Sequence, residues 1–499
     1  MMLLREWLPG RPMPFMRALA YTAAAVLVTF LAGPDLYRIH GAPLLEAYSI
    51  ASMDLAMSRA FCGVPSAVTP LVSVTTVASN QRELLDVPAR QIAAERAGSL
   101  QRFCETSTEA RINNENSLMW LDSWLWRLSP ELSINELGQL LHDIRVAMLV
   151  ATLASLLANG SGVMVAAISW YWALTLLQQL GSYVHHGYPF IFTMLLLTAS
   201  SYAVVSRCGW TRSLRGAAMV AAITGVWTGF AANMRTSHLP IYVLLIILLF
   251  ASGEFSDLKD RPPARLRRMS MAAAMFVAGF FAFQYVGITR HLPRDIDASA
   301  QHTIFHSVVI GLGVPESDLS RREELIWADS AAFAAARRVD PKTGYLTEAY
   351  EAALFNYYSG LWSRYPREMM QVYWTKARTA GKHMLEFLRT RPGKTGRVLQ
   401  MILMPIDLLP NGVWLAFLYI AVAAGGMWWF WRGQSALGAL LAFTAIPAIL
   451  LQLEATVVMS YYVPNYQAYQ AFSVVFISVV LPASLVGLIW DRLSLRTSA

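Results

Sequence analysis

The chain has 499 residues, of which 56% are hydrophobic and 14% charged, whereas about 25% of the residues of an ordinary soluble domain are charged. This composition excludes a typical soluble protein and indicates an integral membrane protein. The formal net charge of +8 comes largely from basic residues in the short segments between apolar runs. It therefore acts as a signal for membrane orientation and predicts no nucleic-acid partner.

Apolar runs of roughly 17 to 25 residues, long enough to cross a bilayer as helices, recur along most of the chain. The sequence predicts about ten such spans, at 17–33, 144–159, 162–180, 189–206, 216–234, 239–254, 269–287, 410–431, 436–454 and 470–490. The Lys and Arg clusters of the short loops all fall on one side if both termini are cytoplasmic. We therefore expect an all-α polytopic membrane protein with two large extracytoplasmic helical loops.

This topology divides the chain into three parts. An N-terminal transmembrane module, 1–290, contains the first seven spans and the first outer loop, 34–143. The second outer loop is 288–409, and a C-terminal transmembrane module, 410–499, contains the last three spans. Because the cytoplasmic loops are all short, we expect the chemistry to take place on the outer side.

Both outer loops contain runs with helical spacing. They lie at 82–105 in the first loop and at 321–339, 347–362 and 366–390 in the second. The first loop also contains Cys62 and Cys104. Two readings of these cysteines stay open, a disulfide formed in an oxidising compartment and two buried thiols.

The segment RINNENSLMWLDSWLWRLSPE, at 111–131, is polar and rich in tryptophan. If a helix begins at Glu115, one of its faces carries two acids and the other is apolar, because successive residues advance by about 100°. The first face has Glu115, Met119, Asp122 and Trp126, and the second has Trp120, Leu121, Trp124 and Leu128. Tryptophan favours the headgroup region, so the segment predicts an interfacial helix at the outer surface.

Carboxylates in this loop are candidates for a general base. A carboxylate that faces a cleft at the membrane surface can accept a proton from an incoming hydroxyl. We rank Glu115 first, Asp35 second and Asp122 third as catalytic residues.

Basic and polar residues at the outer ends of spans are candidates for binding. Arginine bonds two phosphate oxygens with its planar fork, and positive charge outside runs against the usual bias. The candidates for a phosphate site are Arg235, His238, Arg290 and His291.

Four further residues are candidates for substrate binding. His302 and His306 are one helical turn apart, a spacing that suits a metal, but without an HExxH or CxxC motif we favour hydrogen bonding to a sugar. Tyr462 and Asn465 lie in YYVPNYQAYQ, whose aromatic and amide groups suit sugar stacking and hydroxyl recognition. We predict no metal ligands, and a divalent cation stays open.

The layout resembles the GT-C superfamily of integral membrane glycosyltransferases. The resemblance rests on a first span followed by a long outer loop with acids, about six further spans and a second large outer loop. It implies a catalytic acid in the first outer loop and a polyprenyl-phosphate or polyprenyl-diphosphate sugar as donor. The acceptor would be a glycan, a lipid or a protein. Alanine-rich spans and few lysines are typical of a GC-rich bacterial genome, so we expect an inner membrane protein whose active site faces the periplasm.

Two other functions stay open. A ligase or polymerase of lipid-linked glycans has a similar layout, and the stretch 364–394 is rich in arginine and lysine. A transporter or lipid flippase is the second alternative. It is disfavoured because the predicted spans contain few charged residues near their centres and no internal repeat.

Overall fold

The computed structural model describes most of the chain in nine stretches. They are 56–63, 86–106, 116–158, 209–232, 262–288, 304–345, 347–380, 408–433 and 436–457, with isolated residues elsewhere. Within these stretches the structure is helical and contains no β-strand, only an isolated bridge between Pro88 and Ser133. The predicted all-α class is therefore confirmed for the described residues.

After a helical segment at 56–62, the helices follow in chain order. They are α1 (Ala89–Ala97), α2 (Leu100–Thr106), α3 (Asn116–Leu128), α4 (Ile134–Ala158), α5 (Leu214–Ala232), α6 (Pro262–Phe283), α7 (Ile304–Gly311), α8 (Asp318–Arg322), α9 (Asp329–Val339), α10 (Glu348–Arg364), α11 (Pro366–Thr379), α12 (Gly412–Gly433) and α13 (Ala436–Val457). A 3₁₀ turn, Trp210–Arg212, precedes α5, and a π-helical turn, Gln284–Ile288, continues α6.

Three helices in the described part of the chain are long and apolar enough to cross a membrane, and they identify a membrane protein. They are Leu214–Ala231, Leu266–Val286 and Gly412–Trp431. They coincide with the predicted spans 216–234, 269–287 and 410–431.

Other predicted spans are covered in part or not at all. The predicted spans 144–159 and 436–454 fall almost entirely within α4 and α13. The predicted spans 17–33, 162–180 and 239–254 lie outside the described residues, and 189–206 and 470–490 contain only isolated described positions.

The chain divides into two compact units. The first comprises Met1–Pro293, Val422–Thr444 and Phe476–Ala499, and the second comprises Arg294–Ala421 and Ala445–Val475.

In the first unit, α5 and α6 pack closely because glycines line their contact. A Cβ on Gly225 would lie 2.2 Å from the Phe276 carbonyl oxygen, and one on Gly279 would lie 2.3 Å from the Ala222 carbonyl oxygen. Gly229, one turn after Gly225, meets the next turn of α6 in the same way. Small residues let the backbones of membrane helices approach this closely. Later turns of α5 therefore meet later turns of α6, and the two helices run parallel.

We expect Gly225→Leu to separate α5 from α6. The added side chain has no room against the Phe276 carbonyl, and overpacking of this kind costs about 1–3 kcal/mol or more. A lower melting temperature of the purified protein in detergent would report the change. Gly425→Leu is the matched control, because a Cβ at Gly425 meets no atom within 4 Å. Equal melting temperatures for the two variants would contradict the close contact.

The predicted helix at 82–105 is divided in two. Gly98 ends α1 in the left-handed conformation, with φ of 77°, and α2 begins at Leu100. Glycine adopts this conformation without steric cost, so it is a common helix terminator. The helical spacing of the run is thus confirmed for its described residues, which form two helices.

The second unit packs α7, α9, α10 and α11 around one apolar core. Tyr350, Leu354 and Leu361 of α10 are buried there with the alanine face of α9. The predicted helical run 321–339 is interrupted between α8 and α9, where Glu324 has a positive φ of 53°. A non-glycine residue rarely adopts this conformation, and the helical spacing of the run gave no sign of the interruption.

Candidate functional site

Helix α3 has the two distinct faces that the sequence predicted. Asp122 is 1% exposed and Trp126 is fully buried, whereas Trp124 and Leu128 are exposed. The Trp126 indole donates a hydrogen bond to the Leu132 carbonyl, 3.1 Å away, and so ties the end of α3 to the following turn. The acid-bearing face thus points into the protein, and Asp122 is withdrawn from bulk water.

An aromatic cluster places α3 at one end of the α5–α6 pair. Trp120 meets Phe230 edge to face with ring centroids 6.3 Å apart, and Phe230 meets Phe283 in the same way at 5.7 Å. Phe230 and Phe283 belong to the C-terminal ends of α5 and α6. Helix α3 therefore lies at the end of two helices of membrane-spanning length.

Arg59, in the helical segment 56–62, is a buried cation that contacts α3. Its residue is 6% exposed, and Arg127 of α3 donates hydrogen bonds to its backbone carbonyl at 2.5 and 3.2 Å. Phe61 packs near Trp126, with ring centroids 6.4 Å apart, so the segment 56–62 lies along α3. Burial, together with the positive charge of Arg127, lowers the pKa of Arg59 to about 10.

The two arginines form a site of concentrated positive charge. Within the described residues neither guanidinium has a carboxylate partner. A buried cation without a counter-ion is costly, and an anion bound beside it would remove that cost. Arginine is also well suited to a phosphate, since its fork bonds two oxygens at once.

A disulfide joins the segment that contains Arg59 to α2. We call the segment 56–62, α2 and α3 together the disulfide-closed module. Cys62 and Cys104 are bonded with an S–S distance of 2.03 Å and a Cα–Cα distance of 5.2 Å, which decides between the two readings left open by the sequence. Cys62 lies three residues after Arg59, and Cys104 belongs to α2. The bond thus fixes the segment that contains Arg59 to α2, and its presence fits an oxidising compartment.

We expect the double variant Cys62→Ser, Cys104→Ser to loosen this module. Loss of a disulfide between residues this far apart in sequence lowers the free energy of unfolding by about 2–4 kcal/mol, chiefly because the unfolded chain gains conformational freedom. Limited proteolysis of the protein in detergent should cleave the variant faster than the intact chain. Cys208→Ser serves as control because Cys208 is not part of the disulfide. Identical cleavage rates for all three proteins would contradict a stabilising role for the bond.

In the second unit, His306 connects three helices. Its Nδ1 lies 2.7 Å from the Tyr350 hydroxyl of α10, and its Nε2 lies 3.2 Å from an Asp329 oxygen of α9. His306 and Tyr350 are buried, and burial raises the pKa of Tyr350, whereas Asp329 is exposed. Both ring nitrogens of His306 therefore already have partners within the protein. A sugar at His306 would have to displace one of them.

Glu323 is the centre of a second buried polar group in this unit. The Tyr357 hydroxyl donates to its carboxylate at 2.8 Å, and Arg338 donates to its backbone carbonyl at 2.8 Å. Burial and this hydrogen bond raise the pKa of Tyr357. Arg338 also bonds Glu324 at 2.6 Å, so the group holds the interruption between α8 and α9 in place.

Lys376 of α11 is fully buried, and its Nζ has no hydrogen-bond partner among the described residues. Its ammonium lies over the Tyr373 ring, 5.6 Å from the centroid. Desolvation lowers the pKa of Lys376 to about 7. The amine is therefore neutral in a large fraction of molecules at neutral pH.

Most of the residues predicted for the site lie outside the described part of the chain. They are Glu115, Asp35, Arg235, His238, Arg290, His291, His302, Tyr462 and Asn465. Asp122 and His306 are described, and they belong to different units. In the described stretches no three His, Cys, Asp or Glu side chains are grouped so that they could hold a metal ion.

Sequence reasoning missed Arg59 and Arg127. Both belong to the first predicted outer loop, whereas the predicted phosphate ligands lie at the ends of spans. The one available signal was that Arg59 lies in SMDLAMSRAFCG, next to apolar residues and a cysteine of the same loop.

No known family model matches the chain, and searches of curated protein sequences and of solved structures find no significant match.

Proposed function

We propose that the protein is an integral membrane glycosyltransferase. It would transfer a sugar from a polyprenyl-phosphate donor to the hydroxyl of a glycan, lipid or protein acceptor at the periplasmic face of a bacterial inner membrane. The observation that carries this proposal is that the disulfide-closed module contains both a buried carboxylate, Asp122, and the cation pair Arg59–Arg127. The module lies at the end of two helices of membrane-spanning length.

The proposed reaction uses the carboxylate as a base and the arginines as an anion site. The acceptor oxygen attacks the anomeric carbon while a carboxylate takes up the hydroxyl proton. The bond between the anomeric carbon and the phosphate oxygen breaks, and its electron pair leaves with the lipid phosphate. Arg59 and Arg127 stabilise the charge that develops on that phosphate. Asp122 is the described candidate for the base, and Glu115, one residue before α3, is the second.

The direction of the helices supports the orientation in this proposal. Basic residues, Arg215 and Arg267 among them, lie near the N-terminal ends of α5 and α6, and the α3 cluster lies at the other end. Cytoplasmic ends of membrane helices carry the excess of Lys and Arg, which supports an outer position for α3. A parallel α5–α6 pair also fits the ten-span topology, which has one predicted span, 239–254, between the two helices in sequence.

A transfer assay in proteoliposomes tests the proposal. The intact protein would be given radiolabelled polyprenyl-phosphate monosaccharides or, in parallel, a lipid-linked oligosaccharide, each with and without Mg²⁺. We expect label to leave the monosaccharide donors. Arg59→Gln should weaken use of the donor, raising its KM. The melting temperature should stay the same or rise, because the variant removes a buried cation that has no carboxylate partner among the described residues.

The outcomes separate the rival functions. Release from the oligosaccharide alone would favour a glycan ligase or polymerase. No release from either donor by protein that is folded would overturn the assignment as a transferase. A normal donor KM in Arg59→Gln would remove Arg59 from the phosphate site.

A further inference from the structure

One face of α11 is exposed, apolar at its centre and basic at both ends. Met370 and Trp374, one turn apart, are 61% and 59% exposed. Arg367 precedes them and Arg378 follows, and both are exposed. The spacings of three, four and four residues place all four side chains on the same side of the helix.

The opposite face of α11 is committed to the core of the second unit. Met369, Val372 and Lys376 are buried there. The exposed face is therefore not part of that core. Large apolar side chains at adjacent positions on a surface indicate an interaction site.

The C-terminal end of α11 is joined to the start of a helix of membrane-spanning length. A Cβ on Gly412, the first residue of α12, would lie 2.1 Å from the Ala380 carbonyl oxygen and 2.6 Å from that of Ala377. Gln452 bonds the carbonyls of both Ala380 and Gly412, at 2.9 and 3.2 Å. The end of α11 therefore lies at the level where α12 enters the membrane.

The exposed face of α11 lies close to the level at which α12 begins. Trp374 lies six residues before Ala380, which is about 9 Å along a helix. Trp414, in the first turn of α12, is also exposed, as expected of an aromatic side chain at the membrane boundary. Trp374 and Trp414 thus both fall within reach of the headgroup layer.

The charges on the exposed face of α11 indicate what kind of surface it would bind. Within the described residues neither Arg367 nor Arg378 has an ion-pair partner, and the nearest acid of the helix, Glu368, pairs instead with Arg322 at 3.8 Å. The two arginines are about 16 Å apart along the helix. Apolar and aromatic side chains flanked by cations are the pattern of a helix that lies in an anionic headgroup layer.

We propose that the face formed by Arg367, Met370, Trp374 and Arg378 binds the bilayer surface. Met370 and Trp374 enter the boundary between headgroups and acyl chains, and the two arginines bond phosphates of anionic phospholipids. The second unit would then be held on the membrane by α11 as well as by α12. Membrane binding by this face does not depend on the proposed sugar transfer, so either proposal can be wrong without affecting the other.

Spin labels on the full-length protein test this surface. With Cys208 replaced by serine and the Cys62–Cys104 disulfide retained, single cysteines would be introduced as Met370→Cys, Trp374→Cys and, as a control, Ala334→Cys. Ala334 is exposed on α9 beside Arg337 and Arg338. The labelled proteins would be reconstituted into phosphatidylcholine vesicles with or without phosphatidylglycerol, and relaxation by oxygen and by an aqueous nickel complex would be compared.

We expect the ratio of oxygen to nickel accessibility to be higher at 370 and 374 than at 334. It should rise further with phosphatidylglycerol, and the additional change Arg367→Gln, Arg378→Gln should abolish that rise. Ratios at 370 and 374 equal to that at 334 would show an aqueous face. Protection from both reagents would show a protein partner. Either of these results would overturn the proposal.

Discussion

Replacing Asp122 with Asn is expected to lower the rate of sugar transfer by about 10²–10⁴-fold, the usual contribution of a general base. The amide keeps the size of the side chain and cannot accept the proton of the acceptor hydroxyl. Transfer of label from a polyprenyl-phosphate monosaccharide in proteoliposomes measures the rate. The donor KM should change little, because the carboxylate acts on the acceptor.

Two variants make this test specific. Asp143→Asn is the matched control, since Asp143 is an exposed carboxylate of the same loop that accepts a hydrogen bond from Gln139 of its own helix. It should retain full activity. Glu115→Gln decides which carboxylate is the base. If it loses activity while Asp122→Asn retains it, the base is Glu115, and burial of Asp122 has a structural role.

Lys376→Met is expected to stabilise the protein at pH 7. Holding a lysine whose pKa falls from 10.5 to about 7 costs folding free energy, on the order of 4 kcal/mol at 1.4 kcal/mol per pKa unit. Methionine fills a similar volume without the charge. The melting temperature in detergent should therefore rise.

The stability of the protein should also depend on pH because of Lys376. Between pH 7 and 10.5 the lysine is protonated in the unfolded chain and largely neutral in the folded one, so unfolding takes up a proton. Stability of the intact protein must then increase as the pH rises through this window, and the increase should be reduced in Lys376→Met. Lys342→Met, at an exposed lysine of the same unit, should leave the profile unchanged. A lower melting temperature for Lys376→Met with an unchanged pH profile would mean that the amine is charged and bound to an anion.

The membrane helices could be predicted because run length and hydrophobicity depend on the sequence alone. The runs at 216–234, 269–287 and 410–431 reappear as helices of membrane-spanning length within a few residues. The two faces of α3 could also be predicted, since the 100° advance per residue separates Asp122 and Trp126 from Trp124 and Leu128.

Breaks in helices and buried cations were harder to predict because they depend on tertiary contacts. Glu324 has a positive φ where the Glu323 group holds the backbone in place, and no local residue pattern specifies that conformation. The burial of Arg59 depends on α3, which is far away in sequence. Lys376 did leave a signal, since its spacing from Met369 and Val372 puts it on the apolar face of α11.

The most direct test of the proposed activity is whether the intact protein, reconstituted into liposomes, transfers labelled sugar from a polyprenyl-phosphate donor to an acceptor. We expect release that increases with time, exceeds that of protein-free liposomes and falls to the protein-free level in Asp122→Asn. Release by the intact protein that is unchanged both in Asp122→Asn and in Arg59→Gln would contradict the claim that the disulfide-closed module is the site of transfer.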